Sequence, residues 1–409
     1  MTDPASRLDF VCVGSATQDV FVRSDASQIL TLSDLREERR LLCFDYGAKI
    51  SVENIEFTTG GGATNAAVSL ARLGARAAFL GKIGLDEIGQ LVLKELADGG
   101  VDISYHLSSA EQPTGYSVIL TSYEGDRTVL THRGASAEIA ADDIDWAFLD
   151  RAARLYVTSL SGRSADVLAP LAEAASAAGV KLILNPGSAQ LGGGLDALRG
   201  VLAVTDVLLL NKEEASRLTG KEPVKDVIVE AKCTLCERCV EVCESNVFVR
   251  DRDRIVTAGL ARCTKCGACL PACPEGAIAM EPWTFNVAES FQMLCGLGPR
   301  VVVITDGANG VQGCDGETLF LLPARDVPVA SSLGAGDAFG SAFAFEYARS
   351  EDVGRALALG VENAGSVVQR VGAKNGLLTA AEAEAALAAF DGKALRRYPL
   401  AEVLDAADA

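Results

Sequence analysis

Short apolar runs alternate with amphipathic stretches over most of the chain. Runs typical of buried strands include "FVCVGS", "AAFLGKIG", "RLYVTS", "KLILNPG" and "RVVVITDG". Stretches with apolar residues at helical spacing include "TNAAVSLARLG", "ADVLAPLAEAASAAG" and "DAFGSAFAFEYARS". This strand–helix alternation predicts βαβ units, and therefore an α/β fold whose mostly parallel sheet carries helices on both faces.

Two regions depart from this rhythm because they are extended and rich in turn residues. They are residues 41–60 and 114–134. Such segments suit a small antiparallel structure beside the main sheet rather than another βαβ unit. We therefore predict a small β lid, formed from about residues 15–57 and 112–134.

A third region, residues 226–282, interrupts the alternation and contains a near-repeat of its own. If these residues are removed, the strand–helix pattern continues smoothly across the gap. We therefore expect residues 1–225 and 283–409 to form one domain and residues 226–282 to be a domain inserted within it.

The inserted region concentrates the cysteines of the chain. Eight of the 12 cysteines lie in "CTLCERCVEVC" (233–243) and "CTKCGACLPAC" (263–273), which share one spacing. Cysteines clustered in this way are metal ligands more often than disulfides in a reducing compartment. Structural zinc is one alternative, although zinc sites pair C-x-x-C motifs at longer separations.

The two blocks closely resemble the bacterial dicluster ferredoxin domain, in which three thiolates of one block and the fourth of the other bind each cluster. The resemblance implies that one [4Fe–4S] cluster is bound by Cys233, Cys236, Cys239 and Cys273. It implies that the other is bound by Cys263, Cys266, Cys269 and Cys243. Such an insert could serve electron transfer, redox sensing or structure alone.

The acidic composition narrows the class of partner. Asp and Glu number 55 against 37 Lys and Arg, giving a formal net charge of −18. This charge would repel nucleic acids and anionic membranes, so we expect neither as a partner. The first residues contain no basic segment followed by an apolar one, and no apolar run approaches the length of a membrane span. We therefore expect a cytoplasmic protein.

One candidate site is the segment "SSLGAGDAFGS" near the C-terminal end. Gly334, Ala335 and Gly336 precede a strongly helical run, so their backbone N–H groups would converge at a helix N-terminus and favour an anion. Asp337 lies in the first turn of that helix. Its simplest explanation is a favourable interaction with the helix dipole.

Three further motifs are weak when each is taken alone. Asn211 with Glu214, in "LLLNKEEASRLTG", fits a helix-capping box. Gly61 lies in a glycine run that ends at Asn65 and would let a ligand approach the backbone. Asp19 follows the first strand, where acidic residues often only cap turns.

Together these motifs resemble the ribokinase-like (PfkB) family of carbohydrate and nucleoside kinases, over roughly residues 8–225 and 283–380. The resemblance implies a three-layer sandwich with a β lid that often pairs with a second subunit, so a homodimer through the lid is expected. It implies ATP and Mg²⁺ as cofactors and a sugar, sugar derivative or nucleoside as substrate.

The resemblance also implies roles for individual residues. Asp337 would be the catalytic base, with Gly334, Ala335 and Gly336 forming the anion hole. Asp19, Gly61 and Asn65 would bind the substrate hydroxyls. The expected nucleotide and Mg²⁺ residues are Asn211, Glu214, Thr305, Gly307 and Asn363, the last of these through the adenine.

Elementary chemistry agrees with a carboxylate base. The chain has only two histidines, His106 and His132. A solvated Asp has a pKa near 3.9, so it is ionised at neutral pH and can accept a proton late in the reaction.

We therefore predict an ATP-dependent kinase that carries an iron–sulfur domain for electron transfer or redox sensing. The oxidation state of the clusters would alter kinase activity through the helix that follows Asn211. A non-catalytic ligand-binding module that passes electrons to a partner protein is the alternative. A dehydrogenase fed by the clusters is weaker still, because no convincing G-x-G-x-x-G follows the first strand.

Overall fold

The structure is a computed structural model. It describes residues 7–23, 27–33, 38–121, 127–220, 228, 232–243, 247–257, 268–278 and 282–408. In chain order its strands are β1 (Phe10–Val13), β2 (Thr17–Arg23), β3 (Gln28–Ser33), β4 (Glu38–Cys43), β5 (Asn54–Gly60), β6 (Ala77–Leu80), β7 (Lys82–Gly84), β8 (Leu107–Ser109), β9 (Gly115–Thr121), β10 (Arg127–His132), β11 (Arg154–Val157), β12 (Lys181–Leu184), β13 (Thr205–Asn211), β14 (Phe248–Asp251), β15 (Arg254–Thr257), β16 (Val301–Thr305), β17 (Val311–Cys314), β18 (Thr318–Leu322) and β19 (Arg396–Pro399).

The α-helices are α1 (Gly62–Arg72), α2 (Glu87–Asp98), α3 (Leu168–Ala177), α4 (Ser188–Leu191), α5 (Gly194–Leu202), α6 (Lys212–Thr219), α7 (Arg238–Val242), α8 (Cys269–Ala272), α9 (Pro282–Cys295), α10 (Ala335–Ser350), α11 (Val353–Val367), α12 (Ala380–Ala389) and α13 (Leu400–Asp408). None of the helices in the described ranges is long and apolar enough to cross a bilayer.

A nine-stranded sheet forms the centre, in the order β19-β18-β17-β16-β13-β12-β11-β1-β6. Its six strands from β6 to β16 pair in parallel. They are continuous Val, Ile and Leu runs because both faces of a parallel sheet are covered. The remaining three strands continue the sheet in antiparallel pairs. The sequence pattern does not predict this antiparallel extension.

Two hydrophobic clusters cover the two faces of the sheet. One joins the sheet to α1, α2, α10, α11 and α12, and the other joins it to α3, α5, α6, α9 and α13. The predicted three-layer α/β architecture is therefore confirmed. Because side chains of successive strand residues point to opposite faces, Phe10 belongs to the first cluster and Val11 to the second.

A separate four-stranded sheet, in the order β10-β9-β2-β5, is formed by two of the extended regions. The hairpin of β3 and β4 lies between β2 and β5 in the chain. The sheet carries exposed apolar side chains, including Phe57 (62% exposed) and Leu130 (57% exposed). Its inner residues, such as Asp19 on β2, are buried.

The inserted region has a small core of its own, which includes Ile228, Cys239, Val247, Phe248 and Ile255. Strands β14 and β15 form a hairpin, and an isolated antiparallel bridge joins Ile228 to Ile278.

The helices on either side of the insert, α6 and α9, pack against each other. The hydroxyl oxygens of Thr219 on α6 and Ser290 on α9 lie 3.3 Å apart. The two helices that flank the insert in the chain are therefore in direct contact.

Candidate active site

The N-terminus of α10 presents backbone donors at the carboxyl-end side of the sheet. Gly334 is the N-cap and adopts a left-handed conformation with φ of 78°. A Cβ there would lie 2.4 Å from the Cβ of Ala373, so only glycine fits. A Cβ at Gly336 would meet no atom within 4 Å. The first turn of α10, which begins at Ala335, has backbone N–H groups without partners inside the helix, and the Ala335 N–H donates to the Ser332 carbonyl over 3.4 Å.

Asp337 and Asn65 meet at this helix end, although 272 positions separate them in the chain. The Nδ2 atom of Asn65 donates to Oδ2 of Asp337 over 2.8 Å. Asp337 is partly exposed, but burial of its carboxyl, helped by the charge of Asp19, raises its pKa to about 6. The Asn65 bond and Lys374 oppose this rise in pKa. At neutral pH the carboxylate is still mostly ionised, and it is a stronger base than a solvated Asp.

Asn65 also contributes an unsatisfied acceptor. The residue is 5% exposed, and its Oδ1 has no hydrogen-bond partner in the described ranges of the chain. A buried amide oxygen without a partner is costly unless a bound molecule supplies a donor. This atom can therefore accept a hydrogen bond from a molecule bound beside Asp337.

Asp19 lies on β2 with its side chain turned inward. Thr17 donates to its Oδ1 over 3.0 Å. Burial raises the pKa of Asp19, whereas hydrogen bonds from Thr17 and Ser117 lower it. A Cβ at Gly60 would lie 2.0 Å from Oδ2 of Asp19, so the glycine run makes room for this carboxylate.

Gly61 lies between Asp19 and Asn65 and cannot be another residue without distortion. Its φ is 101°, and a Cβ there would lie 2.4 Å from the carbonyl oxygen of Ser15. The structure thus brings together Asp19, Gly61, Asn65 and Asp337, whose proximity the sequence predicts only through family resemblance.

Lys374 is a residue of this site that the sequence analysis does not single out. Its Nζ donates to Oγ1 of Thr59 over 2.5 Å and to Oε1 of Glu95 over 3.0 Å. Burial lowers its pKa, and the charges of Glu95, Asp19 and Asp337 oppose this. Lys374 therefore supplies positive charge to both carboxylates. The only sequence signal is a lysine in the glycine-rich stretch "VGAKNG".

Asn211 and Glu214 form the capping box that the sequence allows as an alternative. Oδ1 of Asn211 accepts from the Glu214 N–H, and Oε2 of Glu214 accepts from the Asn211 N–H, each over 2.8 Å. Burial raises the pKa of Glu214. The capping box uses one oxygen of the carboxylate. The other oxygen suits a hydrated Mg²⁺, which takes only one or two protein carboxylates.

Thr305 and Gly307 lie beside this pair. Thr305 is the register partner of Asn211 across β13 and β16. Lys212 and Asp306 join the two segments through a 2.9 Å ion pair. Gly307 is exposed, with open space where a Cβ would lie. These residues therefore lie together at the ends of two neighbouring parallel strands.

Asn363 does not have the place expected of an adenine contact. It is fully buried (0% exposed) on α11. Its Nδ2 donates to the carbonyl oxygen of Ala338 over 2.8 Å, and its Oδ1 accepts from the Leu378 N–H over 2.9 Å. Asn363 thus holds α11 against α10, and the expected adenine contact is wrong because packed helices cover the side chain.

Four cysteines of the insert line one shared cavity, and they belong to both sequence blocks: Cys233, Cys236, Cys239 and Cys273. Within the described residues, no three His, Cys, Asp or Glu side chains converge closely enough to hold a single ion. Thiols spread around a shared space suit a cluster of four irons better than one zinc. This donor set is the one predicted for the first cluster.

The second predicted cluster is described only in part, since Cys263 and Cys266 lie outside the described residues. Cys243 and Cys273 nevertheless have equivalent environments. The Val247 N–H donates to Sγ of Cys243 over 3.3 Å, and the Ala277 N–H donates to Sγ of Cys273 over 3.2 Å. The same offset of four residues in both halves supports two related binding sites, because such N–H groups stabilise thiolates that bind iron.

Glu237 lies in the loop of the first block with a positive φ of 59°, and its side chain forms an ion pair with Arg250. The second block has Gly267 at the equivalent position. Glu237→Gly and Glu237→Ala both remove the ion pair, but only glycine adopts this backbone without strain. We expect the Gly variant to be about 1 kcal/mol more stable than the Ala variant.

The temperature at which the visible cluster absorbance is lost should rank the two variants of Glu237. Loss at equal temperatures, or earlier loss in the Gly variant, would show that the backbone at this residue is not strained. Comparison of the variants with wild type measures the contribution of the exposed ion pair to stability, which is at most about 1 kcal/mol.

Comparison with known proteins gives two family matches. The model of the pfkB family carbohydrate kinases matches residues 12–240 and 284–380. A 4Fe-4S dicluster domain matches residues 232–278, within the gap and its border. Both resemblances predicted from the sequence are confirmed, including the position of the iron–sulfur domain inside the kinase sequence.

Two curated relatives are a ribokinase of Haemophilus influenzae, 30% identical over 181 residues, and fructokinase-1 of Zea mays, 30% identical over 182 residues. These alignments cover 43% and 42% of this chain and 56% of each relative. The chain thus spans about half the length of the curated relatives it matches.

A solved structure of Arabidopsis thaliana ribokinase with ribose and ATP has the same fold. Its TM-score is 0.63 at 22% identity, and the alignment covers 94% of this chain and 100% of that chain. The family match spans both sides of the insert and the residues around Asp337. The chain therefore belongs to the pfkB family of carbohydrate kinases and carries a 4Fe-4S dicluster domain within its kinase sequence.

Proposed function

We propose that this protein transfers a phosphoryl group from ATP to a hydroxyl of a sugar, sugar derivative or nucleoside. The observation that carries the proposal is the orphaned Oδ1 of Asn65, buried beside a carboxylate whose pKa is about 6. One substrate hydroxyl can donate to the Asp337 carboxylate, and a neighbouring hydroxyl can donate to Oδ1 of Asn65. The ribokinase and fructokinase relatives support a sugar as the acceptor.

Asp337 is proposed as the base. As the substrate oxygen attacks, its proton passes to Oδ2 of Asp337, which Asn65 holds in place. The N–H groups of Ala335 and Gly336, in the first turn of α10, accommodate the charge on the transferred group. Asp19, buried and anchored by Thr17, is proposed to bind another substrate hydroxyl and so fix which oxygen reacts.

Asn211, Glu214, Thr305 and Gly307 are proposed to form the nucleotide side. Mg²⁺ bound here would neutralise phosphate charge. Glu214 offers its second carboxylate oxygen to this ion. Lys212, which forms an ion pair with Asp306, adds positive charge nearby.

We propose that the insert binds two [4Fe–4S] clusters and serves electron transfer to a partner protein or redox sensing. The thiol cavity that joins both sequence blocks supports this. The clusters supply one-electron chemistry. The residues around Glu237 and Arg250 border the first cluster site and are the nearest described surface for an electron partner.

The test measures ATP consumption by anaerobically purified protein in the presence of pools of sugars and nucleosides. Any pool that gives turnover is then divided until the acceptor is identified. We expect at least one sugar pool to give turnover above the no-acceptor rate. A protein that binds ATP and members of these pools but consumes no ATP with any of them would instead be a non-catalytic binding module.

The pH dependence of kcat/KM should report the pKa of Asp337. We expect the rate to fall about tenfold per pH unit below about pH 6, because protonated Asp337 cannot accept a proton. Lys374 lowers this pKa, so Lys374→Met should move the acid limb to higher pH. Lys393→Met, at a side chain 86% exposed, is the matched control. An unmoved limb in Lys374→Met would remove Lys374 from the electrostatics of the site.

A further inference from the structure

Two cysteines outside the two sequence blocks of the insert lie in direct contact. Cys295 is the last residue of α9, and Cys314 is the last residue of β17. The Cys295 thiol donates a hydrogen bond to the sulfur of Cys314. Cys314 is buried in the hydrophobic cluster on one face of the sheet, and Cys295 packs against this cluster while staying partly exposed. Folding therefore joins a helix and a strand through a pair of thiols.

The two thiols have different environments. The Gly316 N–H is a second donor to the sulfur of Cys314, over 3.3 Å. The hydrogen bonds from Cys295 and Gly316 lower the pKa of Cys314, although burial opposes them. The same thiol–thiol bond, together with burial, raises the pKa of Cys295. Cys314 is therefore the sulfur that ionises more readily, and Cys295 is the one that a molecule in solution can reach.

The pair lies away from the proposed catalytic site. Cys314 is the register partner of Val302 near the start of β16, whereas Thr305, on the proposed nucleotide side, is the last residue of that strand. The helix that ends at Cys295 also packs against α6, the helix that precedes the insert. Neither thiol takes part in the proposed phosphoryl transfer or in the predicted binding of the clusters.

We propose that Cys295 and Cys314 are a redox-active thiol pair, which a small disulfide such as oxidised glutathione converts reversibly to a protein disulfide. In the first exchange the exposed Cys295 attacks the reagent, and in the second Cys314 attacks the Cys295 sulfur of the mixed disulfide. In each exchange one S–S bond breaks as another forms, and the proton of the attacking thiol passes to the departing sulfur. Two thiols of the protein are thus oxidised, and one reagent disulfide is reduced to two thiols.

Peptide mass spectrometry of the anaerobic holoprotein tests this pairing. The protein is incubated with oxidised glutathione, the remaining thiols are alkylated, and the chain is cleaved after Glu289, Arg300 and Glu317. The two cysteines then lie in separate peptides, 290–300 and 301–317, which contain no other cysteine. We expect both alkylated peptides to be lost and to be recovered as one disulfide-linked species, which dithiothreitol separates again.

Single-cysteine variants distinguish the roles of the two thiols. In Cys314→Ser, we expect Cys295 to accumulate as the mixed disulfide with glutathione, because no second thiol displaces it. In Cys295→Ser, we expect Cys314 to stay unmodified, because it is buried. Cys43→Ser, at a partly exposed cysteine of the β3–β4 hairpin, is the matched control and should form the linked species as wild type does.

The unfolding temperature gives a second measurement. A disulfide between residues 295 and 314 restricts the unfolded chain, so oxidised wild type should unfold at a higher temperature than reduced wild type. Cys295→Ser should show no such difference. If both cysteines of wild type stay alkylated, or if glutathione stays on Cys295 without forming the link, the proposal is overturned.

Discussion

Replacing Asp337 with asparagine should lower kcat by a factor of about 10² to 10⁴, which is the range that a positioned base contributes. Asparagine keeps the shape of the side chain and can still accept from Nδ2 of Asn65. It cannot accept the substrate proton. We therefore expect ATP binding to stay near the wild-type value while turnover collapses. Asp166→Asn, at an exposed carboxylate, is the control.

The same variant should be more stable than wild type near neutral pH. The folded-state pKa of Asp337 is raised from 3.8 to about 6, so its ionisation costs stability as pH rises through this window. Below about pH 3.8 the cost vanishes, because the carboxyl is protonated in both the folded and unfolded states. Allowing for partial exposure, the gain in Asp337→Asn above pH 6 should be about 1–2 kcal/mol.

Unfolding temperatures of Asp337→Asn and wild type at pH 4 and pH 8 would measure this difference. Wild-type turnover in Asp337→Asn would remove Asp337 as the base. A stability gain that is equal at both pH values would mean that something other than the carboxylate charge sets it.

Cys273→Ser should remove about half of the iron and acid-labile sulfide, because Cys273 is the cysteine of the second sequence block that lines the cavity proposed for the first cluster. Serine is nearly isosteric with cysteine but is a poor ligand for iron in such clusters. Cys43→Ser, at a cysteine of the β3–β4 hairpin far along the chain from both blocks, is the matched control and should keep all of its iron.

Retention of full iron by Cys273→Ser would show that the ligands are not shared between the blocks as proposed. Phosphorylation assays on the same preparations separate the two proposed roles of the insert. A kinase rate that follows the cluster content supports redox sensing. A rate that does not change would mean that the insert does not regulate the kinase.

The central fold could be predicted because its strands are buried on both faces. Runs such as "KLILNPG" and "RVVVITDG" have no polar alternation and became β12 and β16. The antiparallel strands β17 and β19 were missed, since each has only four residues and lies toward or at the edge of the sheet. Short runs of this kind do not differ from loops in hydrophobic pattern.

The site was predictable where one local motif fixes geometry and unpredictable where distant segments meet. Gly334 and Gly61 adopt positive φ, and the glycine at each position is a local signal of this in the sequence. Lys374 reaches Thr59 and Glu95 only after folding, so its role cannot be derived from spacing. Asn363 was wrongly assigned to the adenine contact, because the sequence does not show whether a polar residue on a helix faces a ligand or another helix.

The pKa of Asp337 illustrates the same limit. The sequence predicts an ordinary carboxylate, and only the assembled site reveals that burial and Asp19 raise its pKa. Asn211 and Glu214 show the converse, because the sequence predicts their capping box and the structure has it. The proposed Mg²⁺-binding role of the same pair stays a prediction.

The contact between Thr219 on α6 and Ser290 on α9 has a consequence for the history and engineering of the chain. Because the two helices that flank the insert pack directly against each other, the surrounding sheet can keep its arrangement when the iron–sulfur domain is added or deleted. A short linker between residues 220 and 282 should therefore yield an oxygen-tolerant kinase. The same junction is a site at which other sensor domains can be inserted.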